Sequence, residues 1–347
     1  MAYPGVKDDF LACSEGRAPS RMPVLSLGLE FHLRRANVTD REARLDVEKM
    51  VACQVQAVRD YSEDWAAIFP DDYVEFEPLG LEMRDDENHP TMPVAYLPFT
   101  PETLARFRIP DPHKEMRLPI HLEMLRRLKA ELGDRVLVMG RIAAPFSALG
   151  LVYGIEELMI GLMTQPDLVK DNARFFVDHQ IAFGKAQLKA GADLLWLGDC
   201  CADSAFLKAD HFSEFAFEPA AQTAQALKAT GGLLIYHTSE TSLAHLSRQV
   251  QLPVHAVNCG EGCSVAEAKR RLEPDLCLMG NFDPILLRDG SPEEVAEATE
   301  RMIRENLPGG RYIFNTGEGV MQNSPPANVA AMLEAAKALA PRAGELV

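Results

Sequence analysis

The sequence predicts an α/β fold, a (β/α)8 barrel with an N-terminal helical extension. Three observations carry this reading. Eight short apolar runs recur along the chain, each bounded by Gly, Pro or Asp. Segments of helical periodicity lie between most of them. The runs are continuously apolar rather than alternating, as strands of a parallel sheet covered on both faces must be.

In order, the runs are PVLSLG (23–28), DWAAIFPDD (64–72), RVLVMGRI (135–142), DLLWLGD (193–199), GLLIYH (232–237), PVHAVN (253–258), LCLMGN (276–281) and RYIFNT (311–316). The first two are separated by VTDREARLDVEKMVACQVQAVRDY, and LPIHLEMLRRLKAELG precedes the third. FEPAAQTAQALKATGG leads to the fifth, SVAEAKRRL to the seventh and SPEEVAEATERMIREN to the eighth. The SPEE tetrapeptide is a helix start: a Ser to accept from the free N–H groups, a Pro at the first helical position and acids in the first turn. ELGD and TGG supply glycine stops. The interval between the second and third runs is long, and its β-prone pieces between turn residues predict a hairpin-type excursion over about 73–98. With no linker or repeat evident, one domain over 1–347 is expected.

A chain of 347 residues with 47 % hydrophobic content can bury a large core. Its formal charge of −16 argues against counterion-release binding of nucleic acid and against attraction to an anionic membrane. No window approaches the roughly 20 apolar residues of a membrane span, so neither nucleic acid nor membrane is expected as a partner. Seven scattered cysteines and no signal-peptide pattern predict reduced thiols and a cytoplasmic protein.

Active sites of such barrels form at the C-terminal ends of the strands. Read in order, those ends supply Glu30, Asp71 and Asp72, Arg141, Asp199 with Cys200 and Cys201, His237, Asn258 and Cys259, Asn281 and Asp283, and finally Asn315 and Glu318. Asp72, Asp199 and Asn281 are the candidate catalytic residues; Glu30, Arg141 and Cys200 are the candidate substrate contacts. Each has a plainer reading, since a carboxylate after a strand is often a helix N-cap, and a strand-end His often only satisfies a neighbour. Cys53 and Cys277 read as core. No dinucleotide fingerprint, phosphate-binding loop, nucleophile elbow or HExxH is present.

RIAAPFSALGLVYGIEELM, GADLLWLGD, SVAEAKRRLEPDLCLMGNFDPILLRDGSPEEV and NTGEGVMQNSPPANVAAMLEAAK together resemble the uroporphyrinogen decarboxylase superfamily over nearly the whole chain. The true decarboxylases carry an arginine-rich RQAGRY-type segment that grips porphyrinogen carboxylates. MPVLSLGLEFHLRRAN stands there instead, with Arg34 and Arg35 nearby but outside the motif. FPDDYVEFEPLG and IYHTSETSLAHL are similar to the second branch, the cobalamin-dependent methyltransferases.

Thiol-methylating members of that branch hold zinc with a His-x-Cys pair after the fifth strand and a Cys after the eighth. His237 matches the His, whereas Ser239 and Glu318 stand at the two Cys positions. The resemblance thus implies a metal, zinc, at His237 and Glu318, with Glu240 and Cys259 completing its shell and Cys263 as an alternative. A carboxylate-containing set is more Lewis-acidic than a thiolate one and suits release of a methyl group from oxygen. The expectation is methyl transfer between a small methylated donor, such as a methoxylated aromatic, and a corrinoid. The chain lacks a DxHxxG cobalamin motif, so the corrinoid is expected on a separate partner protein. Corrinoid-to-thiol transfer, porphyrinogen decarboxylation and a non-catalytic ligand-binding barrel remain as alternatives.

Overall fold

A computed structural model of the chain describes residues 4–68 and 71–339. Each predicted run overlaps one strand, three of which run on past its end: β1 (Val24–Leu25), β2 (Trp65–Ala67), β3 (Leu137–Ala143), β4 (Leu194–Gly198), β5 (Leu233–Glu240), β6 (Ala256–Cys259), β7 (Cys277–Asn281) and β8 (Tyr312–Asn315). Phe69 and Pro70 of the second run lie outside the described residues. The strands pair in parallel in the order β1-β8-β7-β6-β5-β4-β3-β2, and helices surround them as a (β/α)8 barrel.

The barrel is nearly closed, and side chains bridge the seam between β1 and β2. Asp64 Oδ2 accepts from Val24 N at 2.9 Å, Ser26 Oγ donates to Glu63 Oε1 at 2.6 Å, and Trp65 Nε1 donates to Ser26 O.

Strand alternation sorts the core into two layers. Leu25, Trp65, Leu137, Met139, Leu194, Trp196, Ile235, Met279 and Ile313 fill the barrel interior. The helix Val6–Ser14, the expected N-terminal extension, adds Val6, Phe10 and Cys13 to that interior cluster. The opposite strand faces join the larger cluster beneath the outer helices.

The predicted helices are present, with instructive differences. The segment 38–61 forms two helices, Asp40–Leu45 and Val47–Tyr61, because Asp46 in extended conformation ends the first and its side chain accepts from Lys49 N to start the second. Ser291 forms a full capping box with Glu294. The helices Pro145–Tyr153, Ile155–Thr164 and Pro166–Ala190 had no place in the periodicity reading. The first is almost wholly apolar and buried, which erases the amphipathic signal. Among the described residues no single helix is long and apolar enough to cross a membrane.

The excursion is a narrow turn-back rather than a paired ribbon. Arg84 N donates to Met92 O at 2.9 Å and Val94 N to Glu82 O at 2.7 Å around one antiparallel bridge, Met83 to Pro93. Arg117 anchors its base, donating to Asp71 Oδ2 at 2.5 Å and to Glu77 Oε1 at 2.9 Å.

Candidate functional site

Inward phase is the first test of each candidate residue. On β5, Leu233 and Ile235 face the interior, so His237 and Ser239 continue that row; on β3, Leu137 and Met139 are followed by Arg141. Asn258 on β6, Asn281 on β7 and Asn315 on β8 stand in the same phase. These residues make a polar layer over an aromatic floor, where Trp65 and Trp196 meet edge-on at 6.1 Å and the rings of Trp196 and His237 lie 4.8 Å apart.

A relay of amides orients His237. Asn315 Nδ2 donates to the main-chain oxygen of Leu25, which fixes which end of that amide is its oxygen. Asn315 Oδ1 then accepts from Asn258 Nδ2 at 2.8 Å and from Gly317 N at 2.7 Å. Asn258 therefore offers Oδ1 to His237 Nδ1 at 2.8 Å. Nδ1 must be the donor, so Nε2 faces Ser239 Oγ at 3.4 Å, and Ser239 Oγ donates to Glu318 Oε1. Cys200, just beyond β4, sits within hydrogen-bond reach of the imidazole. Burial disfavours the charged ring, but Cys200, Glu318 and Asn258 outweigh it and raise His237 to about 9.

Arg141 is the cation of the mouth. It pairs with Asp72 and is 13 % exposed. Its backbone is held at both ends by Gln187, whose Oε1 accepts from Arg141 N at 3.0 Å and whose Nε2 donates to Arg141 O at 2.7 Å; His121 braces Gln187 at 3.1 Å. Glu30 is half-buried beside Asp72, and burial raises its carboxyl above the usual range.

Other candidates are turned away from His237. Asp199 lies in the outward phase of β4, accepting from Ser147 N at 3.0 Å in the first turn of Pro145–Tyr153 and from Tyr236 OH at 2.6 Å; burial pushes it up to about 6. Glu240 is buried and accepts from Ser204 N at 2.9 Å, Ser204 Oγ at 2.7 Å, Thr241 N at 2.9 Å and Ser242 N at 2.6 Å, so it staples loops together. Cys259 packs in the outer layer against Cys263, and that contact and burial hold its thiol well above the ordinary range. Asn281 is inward, but its Nδ2 is spent on Gly260 O at 2.5 Å and Cys263 O at 2.9 Å. Asp283 caps the helix Pro284–Asp289.

Two features escaped the sequence reading. Cys200 meets His237, because Gly198 of β4 pairs with His237 in register and Cys200 follows two residues later. Glu75, within the excursion, is buried beside Arg141, accepts from Ala143 N at 2.9 Å through Oε1, and has no partner for Oε2 among the described residues. Burial pushes it up to about 8. No sequence signal distinguishes it from the excursion's other acids.

Among the described residues no three His, Cys, Asp or Glu side chains stand together in an arrangement that could hold a metal ion. Two donor types that zinc accepts do stand near each other: the His237 imidazole, whose Nδ1 is already used against an amide, and the Glu318 carboxylate held by Ser239 on its Nε2 side.

The comparisons agree with this architecture. The chain is 27 % identical over 351 residues to the uroporphyrinogen decarboxylase of Anaeromyxobacter dehalogenans, covering 95 % of this chain and 98 % of that protein. It is 25 % identical over 224 residues to the methylcobamide:CoM methyltransferase MtbA of Methanosarcina acetivorans, covering 64 % of each. A methyltransferase structure from Methanosarcina mazei superposes with a TM-score of 0.86 at 20 % identity, over 95 % of this chain and 98 % of that one, and so shares the fold. The family model described as uroporphyrinogen decarboxylase (URO-D) matches residues 6–339, and the chain therefore belongs to the uroporphyrinogen decarboxylase family.

Proposed function

We propose that the protein is a methyltransferase that moves a methyl group between a small methylated donor, for example a methoxylated aromatic, and a corrinoid carried by a partner protein. The observation that carries this reading is the His237 relay. Two asparagine side chains and a backbone carbonyl are committed to presenting His237 Nε2 to the mouth, beside Ser239 and Glu318 at the positions where thiol-methylating relatives have cysteines. Zinc, held by His237 and Glu318 with Cys200 at hand, would supply a Lewis acid to the departing oxygen. Asn258 fixes the imidazole, Ser239 orients the Glu318 carboxylate, and Trp196 with Trp65 closes the floor against water. Seven free thiols support a reducing, cytoplasmic setting.

Porphyrinogen decarboxylation is the second reading, favoured by the full-length relatives of that name. Against it, a substrate bearing many carboxylates needs cationic clamps. Arg34 is occupied by Asp40 and Gln322, and Arg35 contacts Tyr61, on helices outside the barrel interior.

The test incubates the protein with reduced cob(I)alamin and a panel of methoxylated aromatics, methylamines and methyl thiols. Methylcobalamin formation is followed spectroscopically, and bound zinc is measured for the wild type and His237→Ala. Donor-dependent methylcobalamin, with metal lost in the variant, is expected. Turnover of uroporphyrinogen without methyl transfer from any donor would transfer the assignment to the second reading.

A further inference from the structure

Arg141 is unusual among the chain's arginines in having its backbone fixed, its side chain buried and its counter-ion exposed. Gln187 and His121 hold the main chain of β3 at this residue, so the side chain enters the barrel mouth from a rigid base. Gly198 on the neighbouring strand has no side chain, and a Cβ there would meet nothing nearer than Arg141 Nη2 and Trp196 Cδ1, each at 4.0 Å. Gly198 also pairs in register with His237. The absent side chain of Gly198 therefore leaves room for a carbon atom in contact with both the guanidinium and the Trp196 ring, on the strand that borders His237.

The charge of Arg141 is matched mainly by one exposed carboxylate. Asp72, Glu75 and Asp71 are its carboxylate neighbours. Asp71 is committed to Arg117 and to Tyr73 N. Glu75 is buried in an environment that favours its neutral form. Among the described residues only Asp72 pairs directly with the guanidinium, and its side chain is 54 % exposed. A buried arginine whose one anionic partner reaches in from solvent is placed to exchange that partner, because the Asp72 carboxylate can return to water while the guanidinium stays fixed, and the guanidinium fork accepts any carboxylate of the right width.

We propose that Arg141 binds the carboxylate of a small monocarboxylic substrate, displacing Asp72, while the rest of the substrate lies over Trp196 toward His237. A single negative charge is specified, since Glu30, Asp72 and Glu318 surround the mouth and oppose a dianion such as a phosphate monoester. The inference deepens the methyl-transfer reading by naming the substrate class, and it rests on the same mouth being the substrate site.

Binding alone tests it, independently of turnover. Calorimetric titration compares 4-methoxybenzoate with its neutral isostere 4-methoxybenzamide on the wild type, Arg141→Gln, Arg141→Lys and Asp72→Asn. The wild type should prefer the carboxylate by on the order of tenfold or more. Arg141→Gln should erase the preference, Arg141→Lys should keep part of it, and Asp72→Asn should strengthen carboxylate binding by removing the competitor. Should Arg141→Gln fail to fold, the lysine and asparagine variants still read the exchange. Equal wild-type affinities for the two probes, no binding of either, or a preference unchanged in the Arg141 variants would overturn the proposal. If the carboxylate preference holds while no donor yields methylcobalamin, the methyl-transfer reading fails and the carboxylate site stands.

Discussion

Replacing Glu75 by Gln should stabilise the protein, and by an amount that grows with pH. Glu75 is 3 % exposed and, among the described residues, has one hydrogen bond through Oε1 and none at Oε2. Burial is the largest cause of its shift from 4.5 to about 8, opposed by Ala143 N and Arg141 and assisted by Asp72 and Asp71. Between these two values the folded chain holds a proton that the unfolded chain has released. The folded state therefore binds more protons, and stability falls as pH rises through the window. Below pH 4.5 both states are protonated and there is no penalty; above about 8 the penalty is complete. At about 1.36 kcal/mol per pKa unit, a shift of this size corresponds to about 3–5 kcal/mol. Gln copies the protonated acid, keeping an oxygen for Ala143 N, and does not titrate. Urea unfolding of the wild type and Glu75→Gln at pH 5, 6.5, 8 and 9 reads the difference directly, since all other titrations cancel in the pair. The variant should gain little at pH 5 and the full amount by pH 9. Parallel stability curves across that range would refute the reasoning, because they would mean Glu75 is already charged in the native fold.

Arg117→Ala removes the partner of two buried carboxylates, Asp71 and Glu77, and should destabilise by about 3–5 kcal/mol, as loss of one side of a buried ion pair does; thermal unfolding measures it. Asn258→Ala deletes the acceptor at His237 Nδ1 and should lower zinc affinity by on the order of 10–100-fold with an unchanged circular dichroism spectrum, read by metal content after competition with a chelator.

All eight strands were legible because a buried parallel strand writes itself as an unbroken apolar run between turn residues. The strand ends were legible as a set, since a barrel gathers them at one face. Facing was harder to read, because beyond the last apolar residue nothing in the sequence marks which side chain points inward. Gly198 is the last residue of β4, so Asp199 falls outward and caps a helix. β5 runs on to Glu240 past a register irregularity at His237, with Ser239 at positive φ, and that geometry sends Glu240 into a loop staple rather than to His237. The relay behind His237 joins residues up to 290 positions apart, beyond the reach of any local pattern. Cys200 was placed among the substrate contacts on proximity to a strand end; only the pairing of Gly198 with His237 puts its thiol beside the imidazole.

The two departures from the thiol-methylating pattern are physically one change. Ser239 Oγ donates to Glu318 Oε1, so the residue after β5 and the residue after β8 form a single hydrogen-bonded unit facing His237 Nε2. A cysteine returned at position 239 alone would offer a weak S–H donor and place a forming thiolate against a carboxylate, which raises the thiol's pKa and costs the bond. A cysteine at 318 alone would leave the Ser239 hydroxyl without its carboxylate acceptor. Only the joint exchange keeps both partners satisfied, and it replaces two soft sulfur donors by oxygens. On the proposed methyl-transfer reading, a mouth with an imidazole, a carboxylate and an arginine around an aromatic floor would favour an oxygen-bearing substrate over a thiol. That is the same direction in which the exposed counter-ion of Arg141 points.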